Sequence, residues 1–204
     1  MKIRHGVLAL LLSATCVNQP DEATESAKSA LGVLPPTESA TWSRVGFSNL
    51  PDGRYAQALA FDEARQVVVV FGGMTSSPDG STSAQQDTWE WSPAQGAWTA
   101  RTIAGAKPAA RTGAAMAYDS ARKIFVLFGG RAGSGYDYQD TWEWDPATGL
   151  WTDKTGSGTK PSARSQHGMI FDSKAGKILL FGGGRSTING DIMTVGLAFD
   201  DTWE

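Results

Sequence analysis

Three arginines, Arg54, Arg111 and Arg164, open three similar stretches of this chain, and an Asp-Thr-Trp-Glu run follows each, at Asp87, Asp140 and Asp201. Arginines and carboxylates in that pattern could line a ring that captures a polar ligand. Residues that recur once per repeat more often serve the repeat itself. A charge-assisted pair with a carboxylate of the same or the adjacent unit would do so, and Glu90, Glu143 and Glu204 recur with the same period. Asp87, Asp140 and Asp201, each followed by Thr, read as turns that lead into a strand. His167 stands where the other repeats carry Gln57 and Ala114, and it reads as packed and hydrogen-bonded rather than catalytic.

The remaining candidates are thinner. Cys16 is the single cysteine, so no internal disulfide, Cys-based zinc site or thiol pair can form. Asp79, Asp137 and Asp191 could take calcium, but no EF-hand-like spacing supports it. Gly133, Gly135, Gly156 and Gly158 do not complete a dinucleotide-binding fingerprint, and Gly176-Lys177 lacks the rest of a phosphate loop. No nucleophile elbow is present. The expectation is a protein without catalytic residues, metal or cofactor.

Behind these residues stands a chain of 204 residues, rich in Gly (24) and Trp (8), with net charge −3. Such a mix suits tight turns and strands better than a helical bundle. The first fifteen residues hold Lys2 and Arg4 and no acid, and without them 16 basic residues stand against 21 acidic ones. That balance offers no footprint for nucleic acid or anionic lipid. Lys2, Arg4 and the short apolar run 7–12 read as a signal peptide over residues 1–15. Cys16 then resembles the lipid-modified cysteine of bacterial lipoproteins, although Leu12 lies four residues before it where that motif prefers three. An ordinary secretory signal cut nearby is the alternative. Either way the expected location is outside the cell or in its envelope, with the membrane reached only through a lipid. Residues 16–40, rich in Ser, Thr, Ala, Glu and Pro, read as a disordered tether.

The dominant signal is self-similarity. RYAQALAFDEARQVVVVFGG from Arg54, RTGAAMAYDSARKIFVLFGG from Arg111 and RSQHGMIFDSKAGKILLFGG from Arg164 start 57 and 53 residues apart. Each closes on a Gly doublet, Gly72-Gly73, Gly129-Gly130 or Gly182-Gly183. Each unit predicts four strands. Strand a ends at Phe61-Asp62, Tyr118-Asp119 or Phe171-Asp172, and strand b covers Val67–Phe71, Ile124–Phe128 or 178–181. Strand c runs over 88–91, over 141–144 and from Thr202, and strand d starts at Trp98 or Trp151. The b runs are apolar at consecutive positions, so both their faces should be covered. Four-stranded sheets stacked around an axis satisfy this, with Trp89, Trp98, Trp142 and Trp151 packed between sheets and the glycines allowing close backbone approach.

Gly-Gly after an apolar strand, then an aromatic strand and a Trp strand, resembles the kelch repeat, and the DTWEW phrasing is similar to kelch repeats of secreted bacterial proteins. The resemblance covers residues 42–204 and implies an all-β propeller of the galactose-oxidase-like fold, with blades at 54–101, 111–154 and 164–204 in a region spanning 41–204. It does not imply galactose oxidase chemistry, which uses copper and a Tyr-Cys crosslink. The third unit stops before its Trp strand, and residues 41–45, with Trp42, read as a spare closing strand. Closed propellers typically have four to eight blades. The open expectations are the front part of a longer protein, a truncated product, or two copies pairing into a six-bladed ring.

In such sheets the b–c and d–a connections share one face. The b–c connections 74–86, 131–139 and 184–200 are long and differ between repeats. Arg131, Tyr136, Tyr138, Arg185 and Asp191 are the predicted contact residues, because Tyr and Arg are frequent interface anchors. The predicted function is binding of a protein or glycan at one propeller face. The alternative is the non-catalytic front part of a larger envelope enzyme, such as a sugar epimerase or hydrolase.

Overall fold

The structure is a computed structural model that describes residues 42–44, 49–189 and 192–204. The predicted signal peptide, the tether, Cys16, Val45 and Asp191 lie outside the described residues. The chain divides into two units, residues 1–44 and 45–204. Of the first, residues 42–44 carry no strand and Trp42 is exposed.

The described residues of the second unit are all strand, turn and loop. In chain order the strands are β1 (Arg54–Tyr55), β2 (Ala58–Asp62), β3 (Val67–Phe71), β4 (Met74–Ser76), β5 (Thr82–Ala84), β6 (Thr88–Ser92) and β7 (Ala97–Arg101). Then come β8 (Ala115–Asp119), β9 (Ile124–Phe128), β10 (Thr141–Asp145) and β11 (Leu150–Asp153). The last are β12 (Gly168–Asp172), β13 (Lys177–Phe181), β14 (Gly184–Asn189), β15 (Ile192–Ala198) and β16 (Thr202–Trp203). Among the described residues no helix is long and apolar enough to cross a membrane.

The main sheets are antiparallel and follow the repeat. Blade 1 runs β2-β3-β6-β7, blade 2 runs β8-β9-β10-β11, and blade 3 runs β12-β13-β16. The predicted strands a, b and c therefore all form, and d forms in blades 1 and 2. Strands β2, β8 and β12 pack side by side as the inner edge of three successive sheets. Register holds between blades: Ala60 faces Val69 and Val69 faces Glu90, just as Ala117 faces Val126 and Val126 faces Glu143.

Burial follows position in the stack. In the middle blade, Phe125, Val126, Leu127 and Phe128 of β9 are all buried, because sheets cover both faces. In blade 3, Phe181 is 61 % exposed and Ile170 62 % exposed, on the face turned away from blade 2. The seam between blades 1 and 2 is the core: Ala58, Ala60, Val69 and Phe71 meet Met116, Tyr118, Phe125, Leu127, Trp144 and Trp151. Small residues on one face admit large ones from the other, as close packing requires.

Two of the b–c connections are more ordered than expected. β4 and β5 form a hairpin that β1 extends to three strands, and β14 pairs with β15 as a second hairpin. Their Ser, Thr and Gly content reads as loop, yet backbone ladders need no apolar side chains to form.

Candidate functional site

The repeated arginines are structural, and the carboxylate each one takes is the aspartate that precedes strand c. Arg54 Nη1 and Nη2 donate to the two carboxylate oxygens of Asp87 at 2.6 and 3.0 Å. Arg111 does the same to Asp140 at 2.6 and 2.7 Å, and Arg164 to Asp201 at 2.5 and 2.7 Å. Each guanidinium also donates to the first glycine carbonyl of its doublet, at Gly72, Gly129 or Gly182. The following tryptophan completes the unit: Trp89, Trp142 and Trp203 donate Nε1–H to Asp87, Asp140 and Asp201. These aspartates are thus ion-pair partners as well as turn residues. Burial acts to raise the Asp87 pKa, but Arg54 and the Trp89 N–H outweigh it and hold the carboxyl below its ordinary range. Asp201 is held lower still by Arg164 and Trp203.

The repeated glutamates serve the opposite rim, at the a–b turns. Arg65 bridges Asp62 at 2.6 Å and Glu90 at 3.0 Å, and Arg122 bridges Asp119 and Glu143 at 2.7 and 2.5 Å. In blade 3 Ala175 replaces that arginine, and Lys177 reaches Glu204 instead. Tyr118 carries its hydroxyl back to Asp62 of blade 1. Burial first, and that carboxylate second, push its pKa up to about 12.

His167 is buried beside the seam of blades 2 and 3. Its ring meets Phe128 edge-on at 5.6 Å, and neither ring nitrogen has a hydrogen bond of good geometry. It is packed as expected. Burial first, and the buried Arg164 guanidinium second, lower its pKa to about 4, against a weak contribution from the Phe128 backbone. A neutral, enclosed imidazole of this kind is placed for packing.

The five predicted contact residues separate on the b–c rim. Tyr136 is 61 % exposed, and its ring lies 6.4 Å from Tyr138, edge to face. Tyr138 is half-buried and covers the Arg111 guanidinium at 4.0 Å. Arg131 is half-buried and pairs with the buried Asp137 carboxylate at 3.4 Å. Arg185 is exposed on the β14 side of the rim. The stacking of Tyr138 on Arg111 has a counterpart in Phe199 on Arg164 at 4.1 Å. A recurring sign was available, since both aromatics stand two residues before the DTWE aspartate. Of the carboxylates considered for calcium, Asp79 closes its own turn by accepting from Ser81 N–H and Oγ. Among the described residues no cluster of three His, Cys, Asp or Glu side chains is placed to hold a metal ion.

Between blades 2 and 3 lies an apolar cleft of about 260 Å³, lined by Phe128, Thr141, Met169, Ile178, Leu180 and Trp203 among others. Its counterpart in the preceding seam is filled. There Trp151 packs on Phe71 at 5.0 Å and donates Nε1–H to Thr88 Oγ at 3.1 Å, and Phe128 and Thr141 are the repeat equivalents of that pair.

The Kelch-repeats domain described as KLHDC2/KLHL20/DRC7 matches residues 19–204. Dynein regulatory complex subunit 7 of Chlamydomonas reinhardtii is 31% identical over 117 residues, which is 57% of this chain and 10% of that protein. Among solved structures YjhT aligns with a TM-score of 0.51 at 14% identity, over 69% of this chain and 50% of that one. The chain thus spans about a tenth of the length of the first protein and half of the second. At 14% identity the likeness to YjhT shows the fold alone.

Proposed function

This chain belongs to the KLHDC2/KLHL20/DRC7 kelch-repeats family, and we propose that it is a non-catalytic module that binds a protein partner at the b–c rim. A kelch-repeat domain suggests a protein-interaction module. That a matching relative is named as a subunit of a complex supports a protein over a glycan. The observation that carries the reading is the Tyr136 ring, exposed yet backed by Tyr138, which Arg111 holds from beneath. An aromatic fixed in this way loses little entropy on contact, which is how a few rigid side chains come to dominate binding energy. Arg185 stands on the same rim and adds a donor fork for acceptor groups. The sequence of residues 1–16 supports placing this module outside the cell or in its envelope.

Peptide display against the immobilised full chain tests this, with affinities measured by calorimetry. Binders should lose at least about tenfold on Tyr136→Ser, or about 1.4 kcal/mol. They should keep their affinity on Glu63→Ala, which changes the opposite rim. Binders indifferent to Tyr136 and Arg185 would refute the rim as the site. A glycan-array hit abolished by Tyr136→Ser would keep the site and change the class of partner.

A further inference from the structure

Successive blades are joined by the same set of backbone bonds. At the first seam, Gly73 N–H donates to Arg111 C=O at 3.0 Å, Arg111 N–H to Gln85 C=O at 3.0 Å, and Gly113 N–H to Ala56 C=O at 2.7 Å. At the second, Gly130 N–H donates to Arg164 C=O, Arg164 N–H to Tyr138 C=O, and Gln166 N–H to Gly113 C=O, at 2.9, 3.2 and 2.7 Å. Each blade closes its own ladder, so a seam can part while the sheets on either side stay folded.

The two seams differ at a titratable position. Ala114 stands at the first and His167 at the second. The His167 ring is 8 % exposed and meets Phe128 edge-on at 5.6 Å. It also lies against Gly129, where a β-carbon would come within 3.2 Å of its Cε1. Blade 2 therefore covers a ring that blade 3 carries. The charged groups around it are already matched to one another. On the blade 3 side Arg164 is clamped by Asp201, and on the blade 2 side Arg111, which takes the Gly129 carbonyl, is clamped by Asp140. Neither carboxylate is left to hold an imidazolium. Burial penalises the cation, Arg164 repels it, and only the Phe128 backbone favours it. Gln166, one residue earlier, is held at φ 59°, a strained conformation for a residue with a β-carbon. Parting the seam would release that strain together with the ring.

We propose that the second seam is an acid-opened joint, in which blades 2 and 3 part to let His167 take a proton that the closed seam refuses. In the open form the imidazole is in water and titrates at its ordinary 6.5, whereas in the closed form it titrates at about 4. Between those values opening binds one proton, so opening is favoured as pH falls. From pH 7.5 to 5.0 the open population should rise about thirtyfold. The first seam has the same arginine–aspartate clamps and no imidazole, so its own parting lacks this response. The bond from Arg164 N–H to Tyr138 C=O is among those that part, and Tyr138 backs the exposed Tyr136. The joint thus acts on the loop proposed above to bind a partner. Only that consequence rests on the rim as the binding site.

Amide hydrogen exchange of the full chain, resolved by residue with NMR and corrected for intrinsic rates, measures the opening and needs no partner. At Gly130, Arg164 and Gln166 it should increase about thirtyfold from pH 7.5 to 5.0. Its urea dependence should stay well below that of global unfolding, because parting a seam exposes less surface. His167→Gln, the residue that blade 1 holds as Gln57, should keep the fold by near-ultraviolet dichroism and hold the change under about threefold. A wild-type change that small would overturn the proposal. So would a thirtyfold rise with the full urea dependence of global unfolding, which would leave His167 acting on the whole fold and not on the seam. Both of these readings are made on the wild type, so they decide the matter even if the variant fails to fold.

Discussion

His167 should make this fold acid-sensitive in a window where its carboxylates do not. The imidazole is buried against Phe128, and its nearest fixed charge is the buried Arg164 guanidinium three residues earlier. Its pKa falls from 6.5 to about 4, chiefly because burial penalises the cation and secondly because Arg164 repels it. Above pH 6.5 the ring is neutral whether the chain is folded or not, so it adds no slope. Between pH 6.5 and about 4 the unfolded chain binds a proton that the folded chain refuses, and stability falls as pH falls. Below about 4 both forms are protonated and this contribution levels off. From pH 7.5 to 4.5 the loss is about 2.5 kcal/mol, a large part of the stability of a typical domain. The aspartates held low by arginine, among them Asp62, Asp87 and Asp119, lose their contribution only below their unfolded value near 3.8. Urea unfolding followed by tryptophan fluorescence at the two pH values measures the difference. His167→Ala, the residue that blade 2 holds as Ala114, should lower stability at pH 7.5 yet flatten the change to under about 1 kcal/mol. Equal slopes for wild type and variant would refute the assignment of this window to His167.

Arg111→Ala should cost about 3–5 kcal/mol in urea unfolding, since it leaves the largely buried Asp140 carboxylate without its guanidinium, whereas Arg122→Ala, which breaks a half-exposed bridge, should cost about 1 kcal/mol or less. Trp151→Phe should lower stability by about 1–3 kcal/mol, because Thr88 Oγ loses its buried indole donor, and a melting temperature unchanged within error would contradict that seam. Gly129→Ala should be the most damaging glycine change tested by thermal melting, because a β-carbon there would lie 2.5 Å from the Arg164 carbonyl oxygen. Gly182→Ala meets nothing nearer than 3.5 Å and should cost only about 1 kcal/mol, from its positive φ, in a single chain.

The strands were legible because their signal is local. Val67–Phe71 and Ile124–Phe128 are apolar at every position, and only a strand with both faces covered asks for that. The arginine partner was not legible from periodicity, because Asp87 and Glu90 recur with the same period. Strand order decides it. In an antiparallel a-b-c sheet, the start of strand c lies level with the start of strand a, so Arg54 reaches Asp87 at one rim. Glu90 is then left for Arg65 of the a–b turn at the other. The contact surface was legible only as a face. That Tyr138 would be drawn onto Arg111 while Tyr136 stays outside depends on the third dimension of a short loop, which no spacing rule encodes.

The Gly doublets read in the sequence as points of close backbone approach, and the structure places such an approach at both members of the doublet. In the structure their two members do different work. The second glycine of each doublet is crowded by its own blade, where a β-carbon at Gly73, Gly130 or Gly183 would fall within 3.0 Å of Gln57, Ala114 or Ser165 and His167. The first is crowded by the next blade. A β-carbon at Gly72 would lie 2.8 Å from the Arg111 carbonyl oxygen, and one at Gly129 2.5 Å from that of Arg164. At Gly182 the nearest atom is 3.5 Å away, in its own loop. Among the described residues nothing fills the corresponding space at Gly182, on the edge where Gly183 N–H and Phe199 C=O have no backbone partner. The intramolecular seams need that space for an arginine carbonyl, which Arg111 supplies at Gly72 and Arg164 at Gly129.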